Sequence, residues 1–173
     1  MSKVFLGIDP GSKGFLTLIN GNNIEYWAIP TIKNKVDYQE LSKIFYNLFM
    51  KYEDNIHVVL EDVHSIFGAS SKSTFSFGHI QGFIEGCLSS FQLPYTKVQP
   101  KKWQKLAWEG IPLIKKPSTS GKTQVTDTKA MSLMAAKRLF PKEDLRATER
   151  SKVPHDGKID SLLIAYYAKC NFK

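Results

Sequence analysis

Cysteine is scarce in this sequence: only Cys87 and Cys170 occur among 173 residues. They form no CxxC pair and no dense framework, which excludes a disulfide-stapled secreted scaffold and a cysteine-based zinc site. Long apolar runs are also missing, since nothing approaches the roughly 18 consecutive apolar residues of a membrane-spanning helix. The opening MSKVFLGID enters a strand-like pattern directly, without the cationic, apolar and small-residue zones of a signal peptide. The expectation is a soluble intracellular protein with no membrane partner. An apolar content of 42% with 23% charged residues suits one globular domain over residues 1–173 with one well-buried core.

Acidic residues are short in the second half of the chain. Residues 1–92 hold seven Lys and Arg against nine Asp and Glu, whereas residues 93–173 hold seventeen against seven. A region this basic suits a polyanion, because each Lys or Arg placed near a phosphate releases condensed counterions. The plain alternative is a cationic surface that serves only solubility. An anionic membrane would call for a basic amphipathic helix with anchors, so nucleic acid is the better-matched partner.

Three short β-prone runs, KVFLGID (3–9), GFLTLIN (14–20) and NIEYWAI (23–29), are separated by Gly- or Asn-rich breaks and read as an antiparallel meander. Leu41, Ile44, Phe45, Leu48 and Phe49 recur at helical spacing within residues 37–52, and the apolar run IHVVLEDV (56–63) reads as a central strand. A second helix over 75–92 carries Ile80, Phe83, Ile84, Cys87, Leu88 and Phe91, and YTKV (95–98) is a further short strand. Helices are expected near 100–107, 126–140 and 157–170. Between Gly110 and Gln124 the periodicity vanishes in GIPLIKKPSTSGKTQ, which predicts a mobile basic loop over about residues 110–124 carrying Lys115, Lys116 and Lys122. The sum is an α/β domain with a mixed five-stranded sheet flanked by helices.

The residues that could carry chemistry are carboxylates. Asp9 ends the first apolar strand and is followed by the turn Pro10, Gly11, Ser12, Lys13 and Gly14; Glu61 and Asp62 end the central strand. Neighbouring strand residues point to opposite faces, so only one of that pair can share a site with Asp9. Asp156 and Asp160, four residues apart at the start of the last helix, share one helix face. Each alone has an ordinary reading, as a turn former, a helix cap or a lysine partner. Clustered, they would repel one another unless a hard divalent cation intervened, and an all-oxygen donor set favours Mg²⁺ or Mn²⁺ over Zn²⁺. Two such ions would activate water and stabilise the leaving oxygen in phosphodiester hydrolysis.

The blocks GIDPGSKG, LEDVHS and DGKIDSLLIAYYA, in that order and with FGHIQG and VQPKKWQK between them, resemble the signature blocks of RuvC-type Holliday-junction resolvases of the ribonuclease-H-like superfamily. The resemblance spans nearly the whole chain. It implies a crossover junction endodeoxyribonuclease acting in DNA recombination or repair, or in trimming branched DNA, as a homodimer. It makes Asp9, Glu61 and Asp160 catalytic metal ligands. The bacterial enzymes place a further acidic or histidine residue three positions before the last Asp, where this chain has Gly157; Asp156, one residue earlier, takes the fourth-ligand role in an arrangement associated with phage-type relatives. A phage-encoded protein of that kind would work in a bacterial cytoplasm. The position of the aromatic wedge that opens the junction is His64 here, with Phe67 close by either as its substitute or as a loop aromatic folded onto the surface.

Around this set, His155 and Lys158 are candidates for supporting the chemistry. Lys101 and Lys102, with Lys105, surround Trp103 and Trp108, a mixture suited either to a base-stacking groove or, for the tryptophans, to the core. Gly78, Gly82 and Gly86 recur every fourth residue along the second helix, a smooth stripe that suits close approach of a second copy in a homodimer or, alternatively, of this chain's own sheet or of DNA. Two other readings compete. An actin-like sugar kinase shares the strand, Asp and Gly-rich turn but ordinarily needs two domains and about twice this length. A DNA-binding or assembly protein that kept the fold and lost catalysis would not need all of Asp9, Glu61, Asp156 and Asp160.

Overall fold

A computed structural model describes residues 3–62 and 70–172. The meander forms as expected: β1 (Val4–Ile8), β2 (Phe15–Asn20) and β3 (Asn23–Ala28) pair antiparallel in sequence order. A small hairpin follows, β4 (Thr31–Ile32) and β5 (Lys35–Val36), turning through Lys33 and Asn34 with positive φ of 50° and 62°. Helix α1 (Tyr38–Tyr52) starts where the Asp37 carboxylate accepts hydrogen bonds from the Gln39 and Glu40 amides, and a short 3-10 turn, Glu53–Asn55, leads into β6 (Ile56–Glu61).

Helix α2 (Ser71–Ser90) begins four residues earlier than its apolar spacing suggests, because Ser70 caps it by accepting from the Ser73 amide. Strand β7 (Tyr95–Val98) and helix α3 (Pro100–Ala107) follow. Over 110–124, where the sequence predicts only a loop, β8 (Lys115–Pro117) and β9 (Gln124–Thr126) form a two-stranded hairpin. It exposes nearly all its side chains, so it has no apolar face for a periodicity argument to detect. Helices α4 (Thr128–Leu139) and α5 (Asp156–Asn171) complete the chain.

The main sheet has the order β3-β2-β1-β6-β7, with β1, β6 and β7 parallel and the meander antiparallel. The strand alternation divides the interior in two. Leu6, Ile8, Leu16, Leu18, Val58 and Leu60 face α1 and α2, meeting Leu41, Phe45, Ile80, Ile84 and Leu88. Phe5, Ile19 and Val59 face the other way, toward Trp103, Ala135, Ala136, Leu162 and Leu163 of α3, α4 and α5. Gly7 lies on this second face. A Cβ there would fall 2.2 Å from the Ala165 nitrogen and 2.3 Å from the Ser161 oxygen, so α5 rests its backbone directly on β1. Beside it the buried Thr17 and Ser161 hydroxyls hydrogen-bond at 2.7 Å, which satisfies the polar groups that this close approach buries.

Among the described residues, no helix is long and apolar enough to cross a membrane.

Candidate active site

Parallel pairing sets the first two carboxylates side by side. Ile8 and Leu60 are register partners in β1 and β6, so Asp9 and Glu61 leave the sheet at the same edge on adjacent strands. Glu61 continues the Val59 face, toward α3 and α5, while Asp62 turns elsewhere and pairs with Lys97 at 3.3 Å. Of that acidic pair, the structure brings Glu61 to Asp9. The third carboxylate, Asp160, comes from the first turns of α5, whose position over β1 is set at Gly7.

The β1–β2 turn is drawn tight around Asp9. Its amide donates to the Phe15 carbonyl at 3.0 Å, and a Cβ at Gly14 would collide with the Asp9 carbonyl. The start of α5 lies against this turn through Gly157, where a Cβ would come within 2.9 Å of Asp9 Oδ2 and 2.6 Å of the Lys13 carbonyl. Gly157 thus occupies a place where this backbone leaves no room for a side chain. Asp156 stands at the exposed rim and pairs with Lys129 of α4 at 2.5 Å.

Burial and mutual repulsion dominate the electrostatics. Desolvation pushes Asp9 up to about 6, with Asp156 adding to the rise and the Gly11 amide opposing it. Glu61 is pushed up to about 8 by burial and by Asp9 and Asp160, against a hydrogen bond from Trp103. Asp160 rises to about 7 through burial, Asp9 and Asp156, against Ser132 and Lys129. Three acids from three separate elements therefore resist ionising together.

The donors fit hard divalent cations: all are carboxylate oxygens, and a cation would relieve the repulsion that raises their proton affinities. The cluster is open. Among the described residues, no three His, Cys, Asp or Glu side chains are already gathered as a cage for one ion.

A cleft of about 660 Å³ adjoins the cluster, between the β1–β2 turn, the first half of α2 and the start of α5. Asp9, Lys13, Asp156 and Gly157 line one side, and Lys72, Ser73, Ser76 and Phe77 line the other. Lys129 and the α2 group Lys72, Ser73 and Ser76 are not legible as site residues in the sequence. Their only signals are a lysine in the first turn of a helix and a serine-rich stretch, neither of which indicates a site without the fold.

His155 lines the same cleft, its ring tilted against Phe15 with centroids 5.0 Å apart. Its Nδ1 is buried without a hydrogen-bond partner among the described residues, and burial lowers its pKa. Lys158 is placed differently from the sequence expectation. Its amine donates to the Arg146 carbonyl at 3.0 Å and sits 4.3 Å over the Tyr26 ring, among Glu143 and Asp144, so it serves the packing of the 140–155 segment rather than the carboxylates.

Trp103 is 1% exposed and belongs to the core, yet its indole N–H donates to Glu61 Oε1 at 2.9 Å. Trp108 packs partly buried against the same core. Lys101 and Lys102 are exposed in the first turn of α3, at the sheet edge that carries Glu61. Lys115 and Lys122 are exposed on the β8–β9 hairpin, whereas Lys116 pairs with Asp127 at 3.1 Å. Gly78, Gly82 and Gly86 are not packed against this chain, and a Cβ at any of them would meet no described atom within 4 Å. His64 and Phe67 lie outside the described residues.

No protein-family model matches the sequence, and no curated protein does. Among solved structures, the chain is similar to Thermus thermophilus RuvC, at 16% identity and a TM-score of 0.54 over 96% of both chains. It is also similar to T. thermophilus RuvC in complex with Holliday junction substrate, at 14% identity and a TM-score of 0.56 over 98% of this chain and 96% of that one. Likeness across nearly the full length of both chains at such low identity shows the fold alone: a mixed five-stranded sheet flanked by helices, like that of RuvC.

The raised carboxylate pKa values make a stability prediction. Folding strengthens proton binding at Asp9, Glu61 and Asp160, so the folded state holds more protons than the unfolded one between about pH 4 and about pH 8. Their ionisation therefore destabilises the metal-free protein as pH rises through that window. Thermal melts in EDTA should show Glu61→Gln melting above wild type near pH 8, with the gap closing toward about pH 4. A gap independent of pH would mean that Glu61 is not held in the buried, repulsive setting described.

Proposed function

We propose that this chain is a metal-dependent endonuclease that hydrolyses phosphodiester bonds in four-way or other branched DNA. The observation that carries the reading is the convergence of Asp9, Glu61 and Asp160, from two adjacent strand ends and one helix, with Asp9 also lining a cleft that holds Lys13 and Lys72. The similar RuvC solved with a Holliday junction supports branched DNA as the substrate class. Asp9, Glu61 and Asp160 would hold Mg²⁺ or Mn²⁺, two ions being suited to this many carboxylates, with Asp156 a fourth ligand once released from Lys129. Bound there, such ions supply water activation and charge neutralisation at the leaving oxygen. The chain's own part is to keep the carboxylates rigid and to receive the backbone with Lys13 and Lys72.

Asp9→Asn, Glu61→Gln and Asp160→Asn each remove a ligand charge at nearly constant volume. Each is expected to lower cleavage of a labelled four-way junction in Mg²⁺ by at least about 100-fold, by analogy with the loss of one transition-state charge stabiliser. Junction binding in EDTA should persist. Wild-type cleavage by Asp9→Asn would sink the metal-site reading.

The β8–β9 hairpin is proposed to grip phosphates through Lys115, Lys116 and Lys122. Alanine at all three should weaken binding to junction and linear duplex alike, and lower the slope of log affinity against log salt by about 0.9 for each phosphate that is no longer neutralised. A slope equal to that of wild type would exclude the hairpin from the DNA interface.

Cutting opposed strands of a junction calls for two active sites, and each chain supplies one carboxylate cluster, so the working unit is proposed to be a two-fold dimer. The face of α2 opposite its buried Ile80, Ile84 and Leu88 offers the stripe of Gly78, Gly82 and Gly86, glycines that this chain's own packing does not require. Sedimentation at micromolar concentration should show a dimer that Gly82→Leu dissociates. A monomeric wild type that makes paired incisions would contradict this.

A further inference from the structure

The partner chosen by Trp103 is unusual for a core tryptophan. Its ring is enclosed by the second core, with Val59, Val98 and Ala107 in the same cluster, where only a fixed acceptor can satisfy the indole N–H. That acceptor is the carboxylate at the end of β6: Nε1 meets Glu61 Oε1 at 2.9 Å. Helix α3 is anchored for the purpose. Pro100 begins it immediately after β7, and Val98 is the register partner of Glu61, so the strand pairing that places Glu61 also places the first turn of α3 beside it.

Two properties distinguish this contact from an ordinary ion pair. The indole can only donate, so it engages a carboxylate oxygen and never competes as a metal ligand. It is also neutral, so it holds one oxygen without bringing in a positive charge that would repel a bound cation. Asp156 illustrates the contrast, because its Lys129 partner offsets its charge. Trp103, buried in the core, holds Oε1 of the carboxylate and leaves Oε2 outside the indole bond. Outer partners of this sort orient metal-binding groups and fix their geometry before the ion arrives.

We propose that Trp103 is a positioning residue for Glu61, aiming the carboxylate for divalent-cation binding through its indole N–H. The proposal rests on the reading of Glu61 as a metal ligand. The test replaces Trp103 with Phe, which keeps an aromatic ring, and separately with benzothienylalanine, which keeps the bicyclic shape but puts sulfur in place of N–H. Mn²⁺ binding to the free protein is measured by calorimetry, together with the thermal midpoint, junction affinity in EDTA and cleavage as a function of Mg²⁺.

Both variants are expected to bind Mn²⁺ about 10- to 100-fold more weakly than wild type. Cleavage should fall and recover in part at high Mg²⁺, with junction affinity in EDTA unchanged. A purely structural role would lower the thermal midpoint of the Phe variant but leave Mn²⁺ affinity intact in both. Wild-type Mn²⁺ affinity and cleavage in the benzothienylalanine variant would overturn the proposal, even if the Phe variant failed to fold. A folded wild-type protein that takes up no Mn²⁺ would instead overturn the metal reading beneath it.

Discussion

The backbone contact between α5 and β1 is the constraint on which the rest depends. With no side chain at Gly7, the helix lies against the strand itself, and the Thr17–Ser161 hydrogen bond settles the polar groups trapped there. The start of α5 is thereby held over the end of β1, where Gly157 admits the Asp9 carboxylate and its turn. A helix even one side-chain layer further from the sheet would carry Asp160 away from Asp9 and Glu61. The close packing and the site are one arrangement.

That arrangement works against folding at neutral pH. Three carboxyl groups are buried near one another, and the partners offered to them directly are mostly neutral: the Gly11 amide, the Trp103 indole and the Ser132 hydroxyl. Lysines could have neutralised the cluster more completely. Lys129 instead stands at the rim with Asp156, and Lys13 and Lys72 line the cleft. The interior keeps carboxyl groups with no lysine directly bound to them and the approach carries positive charge, an arrangement suited to cations inside and polyanions outside.

The basic second half of the chain acquires meaning in the same way. Some of its cations lie on separate elements, the first turn of α3, the β8–β9 hairpin and the start of α4. Others serve the chain itself: Lys158 turns inward over Tyr26 to hold the segment before α5, Lys97 pairs with Asp62 and Glu85, and Arg146 pairs with Asp144. Net charge could not tell Lys158 from a lysine exposed to solvent, because that distinction depends on which neighbours the fold brings to it.

Much of this protein was determined by sequence alone, wherever the information is local. Short β-prone runs bounded by Gly- and Asn-rich breaks specified the five strands of the main sheet, helical spacing specified α1 and the core face of α2, and the three acidic blocks made Asp9, Glu61 and Asp160 the candidates. Between Glu61 and Asp62 residue chemistry alone left the choice open and only the resemblance pointed to Glu61; the parallel register of β6 with β1 sets Glu61 beside Asp9, and the places of Lys72, Lys129 and Trp103 required elements distant in sequence to meet. The β8–β9 hairpin was not legible because nearly all its side chains face solvent, leaving no periodic trace. Periodicity reflects which face of an element is buried. Only the tertiary structure decides what that face is buried against, because the contacts that orient Glu61 and seat α5 join residues far apart along the chain.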